Sequence, residues 1–289
     1  MTDPTSKNYP NVAQSFGIVG IAILAMIVFT PVNIFLNDLI GKEASMFVYY
    51  VLSMGSVFWL VDRMRWKLTG ESLYSVGMDS TKIIALVSVA VLGIQFGLVS
   101  PIISLMPMPE FMQKIFMELA GQNGIFSMLT IVIAAPILEE LIFRGIILDG
   151  LLKKYSPIKS ILISSALFGI VHLNPWQFVT AMAIGILSGW VYYKTHNLLL
   201  CIIIHLVNNL SAFASMQFMD AEEMMNSDLT EQYGGLMNVI IITAGALVLA
   251  GSALALLHYE FKKREINDMS NHDDSVGSGE SALDDNTLS

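Results

Sequence analysis

The stretch APILEELIFRG, Ala135–Gly145, sets Glu139, Glu140 and Arg144 inside an otherwise apolar run. Two later apolar runs are interrupted in the same way. FGIVHL carries His172, and IIIHLVNNL carries His205, Asn208 and Asn209. The chain has only five histidines, so two of them in apolar runs form a concentrated signal. An ionisable residue at membrane depth costs roughly 2.5–3.5 kcal/mol on insertion scales, and such residues are typically retained for function.

Spacing separates their roles. Residues i and i+4 share a helix face, whereas neighbours point about 100° apart. Glu140 and Arg144 are i, i+4 in the favourable order for an ion pair, which leaves Glu139 pointing elsewhere without a partner in its own helix. Burial disfavours the charged form of a carboxylate, which suits a general base working near neutrality. Pro136, three residues earlier, removes a backbone donor and is expected to kink the helix or open it. His172 falls where Asn174 and Pro175 end a helix; His205 and Asn209 share a face that Asn208 does not.

A carboxylate and an imidazole can hold and deprotonate a water. A second imidazole and an amide can bind the oxyanion formed when that water attacks a carbonyl. That is amide hydrolysis without a covalent intermediate. Ser211 and Cys201 lie near the His205 helix but have no clear base, and Cys201 reads as a buried, inert thiol. A zinc site is the close rival, since Glu139, His172 and His205 would form a His₂Glu set with one open position, although no HExxH is present. No cofactor is preferred, and zinc stays open. A transporter's proton relay is the non-hydrolytic rival, but internal repeats and paired broken helices are lacking.

These residues need apolar helices to position them. The 289-residue chain is 54% hydrophobic and 13% charged, with mean hydropathy +0.64; a soluble domain carries about 25% charged residues. Eight apolar runs approach the ~20 residues of a membrane span: Phe16–Leu36, Ala44–Val61, Ile83–Leu105, Ile125–Leu148, Ile158–His172, Gln177–Tyr193, Leu198–Met216 and Leu236–His258. The fifth and sixth are short and rely on the break HLNPWQ between them. The first reads as an anchor and not a cleaved signal. With the N-terminus inside, twelve of the fifteen Lys and Arg residues, among them Arg65, are cytoplasmic, and both termini lie inside. Glu110–Ala120 reads as an interfacial helix or a plain loop. At about 1.5 Å per residue, Glu139, His172, His205 and Asn209 lie some 14–21 Å from the inner helix ends, near the midplane. The net charge of −9 comes from an acidic loop and an acidic tail and gives no sign of a nucleic-acid partner.

EELIFR (Glu139, Glu140, Arg144), FGIVH (Phe168, His172) and HLVNN (His205, Asn209) resemble the EExxxR, FxxxH and HxxxN motifs of the CPBP family. This is the Abi-like group of intramembrane endopeptidases that includes type II CAAX prenyl proteases and bacteriocin-processing proteins. The resemblance covers roughly Ile125–Ser215. It implies an all-α polytopic membrane bundle of about eight spans around an intramembrane catalytic cavity. It also implies that Glu139 and His172 activate water, that His205 and Asn209 bind the oxyanion, and that Glu140 and Arg144 support the site. The family has been discussed as glutamate-dependent and as metal-dependent. The implied partners are membrane lipids and a membrane-associated, possibly lipidated protein or peptide. The alternative is a non-proteolytic scaffold or bacteriocin-immunity protein using the same cavity. The expected organisation is a cytoplasmic segment 1–15, N-terminal spans with an interfacial segment 16–124, a catalytic core 125–216, an acidic external loop 217–235, a last span 236–260 and a disordered acidic cytoplasmic tail 261–289. A bacterial inner membrane suits the charge pattern.

Overall fold

The computed structural model describes residues 8–71, 74–218 and 228–284. Among these residues it is helical, with no β-strand. The helices are α1 Val12–Ile40, α2 Lys42–Thr69, α3 Thr81–Ser104, α4 Glu110–Ala120, α5 Ile125–Leu152, α6 Pro157–Ile170, α7 Pro175–Thr195, α8 Leu198–Phe218, α9 Leu229–Gln232 and α10 Leu236–Asp284. Helix ends follow local chemistry. Asn11 and Gln14 form a reciprocal capping box at the start of α1. The HLNPWQ break behaves as expected: the Asn174 side chain accepts from the backbone of Trp176 and Gln177, with Pro175 at the first helical position.

α5 is the hub, packed against α2, α6, α7 and α8. Its most apolar window is 44% buried, whereas those of α1 and α10 are 17% and 11% buried. The charged helix is therefore the one most shielded by protein. One core cluster joins α1, α2, α5 and α6 through Ile18, Met54, Ile146 and Phe168; another joins α3, α7, α8 and α10 through Val87, Val191, Ile204 and Leu257. At Gly185 a Cβ would lie 2.8 Å from that of Ser165, so its bare backbone lets α6 lie close against α7.

The chain is an integral membrane helical bundle in which, among the described residues, six helices are long and apolar enough to cross a membrane: α1, α2, α3, α5, α8 and the Leu236–Asn267 part of α10. The fifth and sixth expected runs form α6 and α7 but do not qualify. α6 has 14 residues, and α7, though 21 residues long, is interspersed with Gln177, Thr180, Ser188 and Lys194. Glu110–Ala120 is helical, tied to the start of α2 by a Lys42–Glu118 ion pair. Of the acidic loop, residues 219–227 lie outside the described residues.

Two features were not legible in the sequence. α10 does not end at 260 but runs to Asp284, through most of the stretch expected as a disordered tail. Ion pairs carry it past the membrane run: Lys82–Glu260 at 2.5 Å, Arg264–Asp79 at 2.5 Å and Lys194–Glu265 at 2.7 Å. Arg65, one of the cations that the charge pattern counted as cytoplasmic, is buried. It donates to the Gly145 carbonyl at 2.6 Å and to Asp149 at 2.7 Å. Tyr192 donates to the other Asp149 oxygen at 3.2 Å. Beside this cluster, hydrogen bonding from Lys153 holds the Glu71 carboxyl below the usual range. A cavity of about 200 Å³ lined by Ile21, Ala25, Ser56, Val57, Trp59 and Leu60 lies between α1 and α2, and no candidate site residue lines it.

Candidate functional site

The site is built on an irregular stretch of α5. An α-helical turn, Ala135–Glu140, lies between π-helical segments at Leu129–Ala134 and Leu141–Leu148. In the five-residue register, the Ala135 N–H reaches the Thr130 carbonyl. Pro136 has no N–H to give the next carbonyl, Ile131. Asn209 supplies the missing donor: its Nδ2 reaches the Ile131 oxygen at 2.8 Å. The second π segment is anchored similarly, with Ser164 Oγ of α6 donating to the Phe143 carbonyl at 3.0 Å and Arg65 of α2 to that of Gly145. π segments widen a helix and recur at functional sites. Here they let neighbouring helices grip the backbone on either side of the two glutamates.

Glu140 and Arg144 are fully buried and Glu139 is 7% exposed. The expected pair forms, with Arg144 Nη1 donating to Glu140 Oε1 at 2.9 Å. The same oxygen lies 3.0 Å from His205 Nδ1. Arg144 also stacks its guanidinium 4.6 Å from the centroid of Phe168, a cation–π contact strengthened by exclusion of water. Removing either partner of such a buried pair strands the other charge, which is why the arrangement acts as a unit.

Glu139 points away from that pair, as its helix position requires. Tyr50 Oη of α2 donates to its Oε1 at 2.5 Å. Its Oε2 is buried without a hydrogen-bond partner and lies 3.7 Å from His205 Nε2. His205 therefore stands between the two glutamates, Nδ1 toward Glu140 and Nε2 toward Glu139.

His172 occupies the turn after α6. Its Nδ1 is 2.8 Å from the Phe168 carbonyl. A carbonyl only accepts, so Nδ1 carries a proton, and in the Nδ1–H tautomer Nε2 is the ring's acceptor. Among the described residues, no ion pair joins His172 to either glutamate. The connection is Phe168, whose ring meets His172 and His205 edge-on at 5.2 and 5.4 Å between centroids.

The structure thus brings Glu139, Glu140, Arg144 and His205 into direct contact, reaches His172 through Phe168, and places Asn209 against the α5 backbone. The sequence reading missed Tyr50. Its only signal was a second polar ring, Tyr49–Tyr50, in an apolar span, and its partner lies 89 residues away. The ring tautomers suit metal ligation, but among the described residues no three His, Cys, Asp or Glu side chains gather as a metal ion requires.

A family model falls on this region. Residues 121–211 match the family model described as "Type II CAAX prenyl endopeptidase Rce1-like". The chain is 39% identical over 77 residues to "Putative membrane peptidase YdiL" of Bacillus subtilis (strain 168), covering 27% of this chain and 32% of that protein. It is 31% identical over 107 residues to "Uncharacterized 24.3 kDa protein" of Escherichia coli, covering 35% of this chain and 49% of that protein. The similarity thus spans about a third to a half of these relatives. No solved structure matches. Residues 121–211 hold all three motifs, and across them the chain is similar to the Rce1-like type II CAAX prenyl endopeptidases, the resemblance expected from its sequence.

Proposed function

We propose that this protein is an intramembrane endopeptidase that hydrolyses a peptide bond of a membrane-associated protein or peptide by an activated water. The observation that carries this reading is the unshared oxygen of Glu139: a buried carboxylate with Oε1 held by Tyr50 and Oε2 unpartnered beside His205. Glu139 Oε2 takes the proton of the attacking water, and the free Nε2 of His172 is the second acceptor that steers it. His205 serves the oxyanion. Donation from Nε2 requires both ring nitrogens to be protonated, and the charges of Glu139, Glu140, Arg144 and His205 then cancel, which suits a low-dielectric setting. Asn209 gives one amide hydrogen to Ile131 and has a second for the oxyanion. Glu140 and Arg144 fix the orientation of His205 from behind. No step passes through a metal. The similarity to Rce1-like endopeptidases agrees with a CAAX-like, membrane-proximal substrate.

The test is cleavage of fluorogenic membrane-proximal peptides, with and without a prenyl group, by detergent-purified protein. Glu139→Gln serves as the blank and a strong zinc chelator as a second arm. Chelator-resistant cleavage that vanishes in Glu139→Gln is expected. Cleavage lost to the chelator and restored by zinc would overturn the metal-free route. Cleavage that survives in Glu139→Gln would overturn the assignment of the base. Peptide binding without cleavage would favour the scaffold function.

A further inference from the structure

The matched segment begins at residue 121, yet one direct partner of Glu139 lies far upstream. Tyr50 is on α2, which packs against α5 on both sides of the glutamate turn. Its hydroxyl is the only side-chain donor to Glu139 among the described residues. It also completes a chain through three helices. Arg144 donates to Glu140, Glu140 faces His205 Nδ1, His205 Nε2 faces Glu139 Oε2, and Glu139 Oε1 accepts from Tyr50. A carboxylate on a flexible two-carbon stem can turn either oxygen toward a reactant. Fixing one of them removes that freedom and leaves a single acceptor aimed at the reacting water.

We propose that Tyr50 is the positioning residue of Glu139, holding Oε1 so that Oε2 is the acceptor presented beside His205, and that the working site therefore extends onto α2. This rests on the reading of Glu139 as the base. Tyr50 touches no reacting atom in this scheme; it acts through the carboxylate. The adjacent Tyr49 provides the internal control, because its hydroxyl is spent on the Met26 carbonyl of α1 at 3.0 Å and not on the site.

The experiment compares wild type, Tyr50→Phe, Tyr49→Phe and Glu139→Gln as full-length protein in nanodiscs. The wild-type minus Glu139→Gln infrared difference spectrum isolates the carboxylate bands of Glu139 without any substrate. In Tyr50→Phe those bands are expected to move, and with a cleavable peptide kcat is expected to fall about tenfold with KM within about twofold, the pattern of lost orientation in the transition state. Tyr49→Phe should change neither. Bands that stay in place in Tyr50→Phe overturn the proposal, whether or not activity falls, since activity would then have dropped for structural reasons. If wild type cleaves nothing, the peptidase reading fails, while the infrared bands still decide whether Tyr50 holds Glu139. Should Tyr50→Phe not fold, 3-fluorotyrosine at position 50 keeps the shape and strengthens the donor. A displacement of the bands relative to wild type then supports the proposal, and unmoved bands overturn it.

Discussion

Glu140 is fully buried and faces a guanidinium and an imidazole with one carboxylate oxygen. Neutralising it alone leaves Arg144 stranded in an apolar interior, where breaking a buried pair typically costs about 3–5 kcal/mol. Glu140→Gln is therefore expected to lower the thermal midpoint in detergent sharply, as read by tryptophan fluorescence. Glu140→Leu with Arg144→Met removes both charges together and should cost clearly less than Glu140→Gln. Equal losses would show that the pair does not act as a unit. The Glu140–Arg144 contact was legible in the sequence because it needs only the helix repeat. The placement of His205 between both glutamates was not. That depends on how α8 is rotated against α5, a property of side-chain packing between distant segments and not of any local pattern. The same applies to Tyr50. For Asn209, nothing in the helical spacing revealed the backbone carbonyl it would meet.

Among the elements, α5 differs most from a simple reading of its sequence. Pro136 announces a disturbance, and the sequence reading expected a kink or an opening; the chain instead adopts π register on both sides of one α-helical turn. A wider helix leaves carbonyls for neighbours to satisfy, and those neighbours come from α2, α6 and α8. Asn209→Leu withdraws the donor to Ile131 and should destabilise the protein by about 1–3 kcal/mol, the usual cost of an orphaned buried acceptor. In a Pro136→Ala background position 136 regains its own N–H, so Asn209→Leu should cost measurably less there. A double-mutant cycle in thermal unfolding reads this coupling directly, and strict additivity would sink the compensation argument. The eight apolar runs were visible from hydropathy. The first turns of α10 beyond 260 were not, because Glu260, Arg264 and Glu265 find partners on α3, α7 and the loop before α3, which no local pattern reveals.

At the scale of the whole molecule, α10 is packed lightly along its apolar length and pinned just beyond it by ion pairs. Asp79 is the most enclosed acid of that clamp, and hydrogen bonds from Arg264 and then the Ser80 backbone hold its carboxyl below the usual range. The sign follows. A depressed folded-state value contributes stability that is complete above the ordinary aspartate value of about 3.9, and that stability drains away as pH falls through the lower folded value. The contribution is that of a partly exposed pair, about 0.2–1 kcal/mol. Between about pH 5 and pH 3, Asp79→Asn should therefore lose less stability than wild type, because it has already given up the titrating contact. Acid unfolding followed by fluorescence checks this, and identical slopes would remove Asp79 from the clamp.

α6 carries a consequence for the lipid around it. Fourteen residues rise only about 21 Å, against roughly 30 Å of hydrocarbon in a typical bilayer. The helix ends at the His172 turn, beside an exposed Leu173. A helix shorter than the hydrocarbon layer is expected to thin the bilayer beside it, which would bring headgroups and water closer to the imidazole that the proposed reaction uses. Hydrolysis inside a membrane needs a supply of water, and a short helix provides an entry point without a channel. Acyl-chain length then becomes a control on the reaction. In vesicles of successively longer saturated-equivalent lipids, turnover should decline while the fold persists.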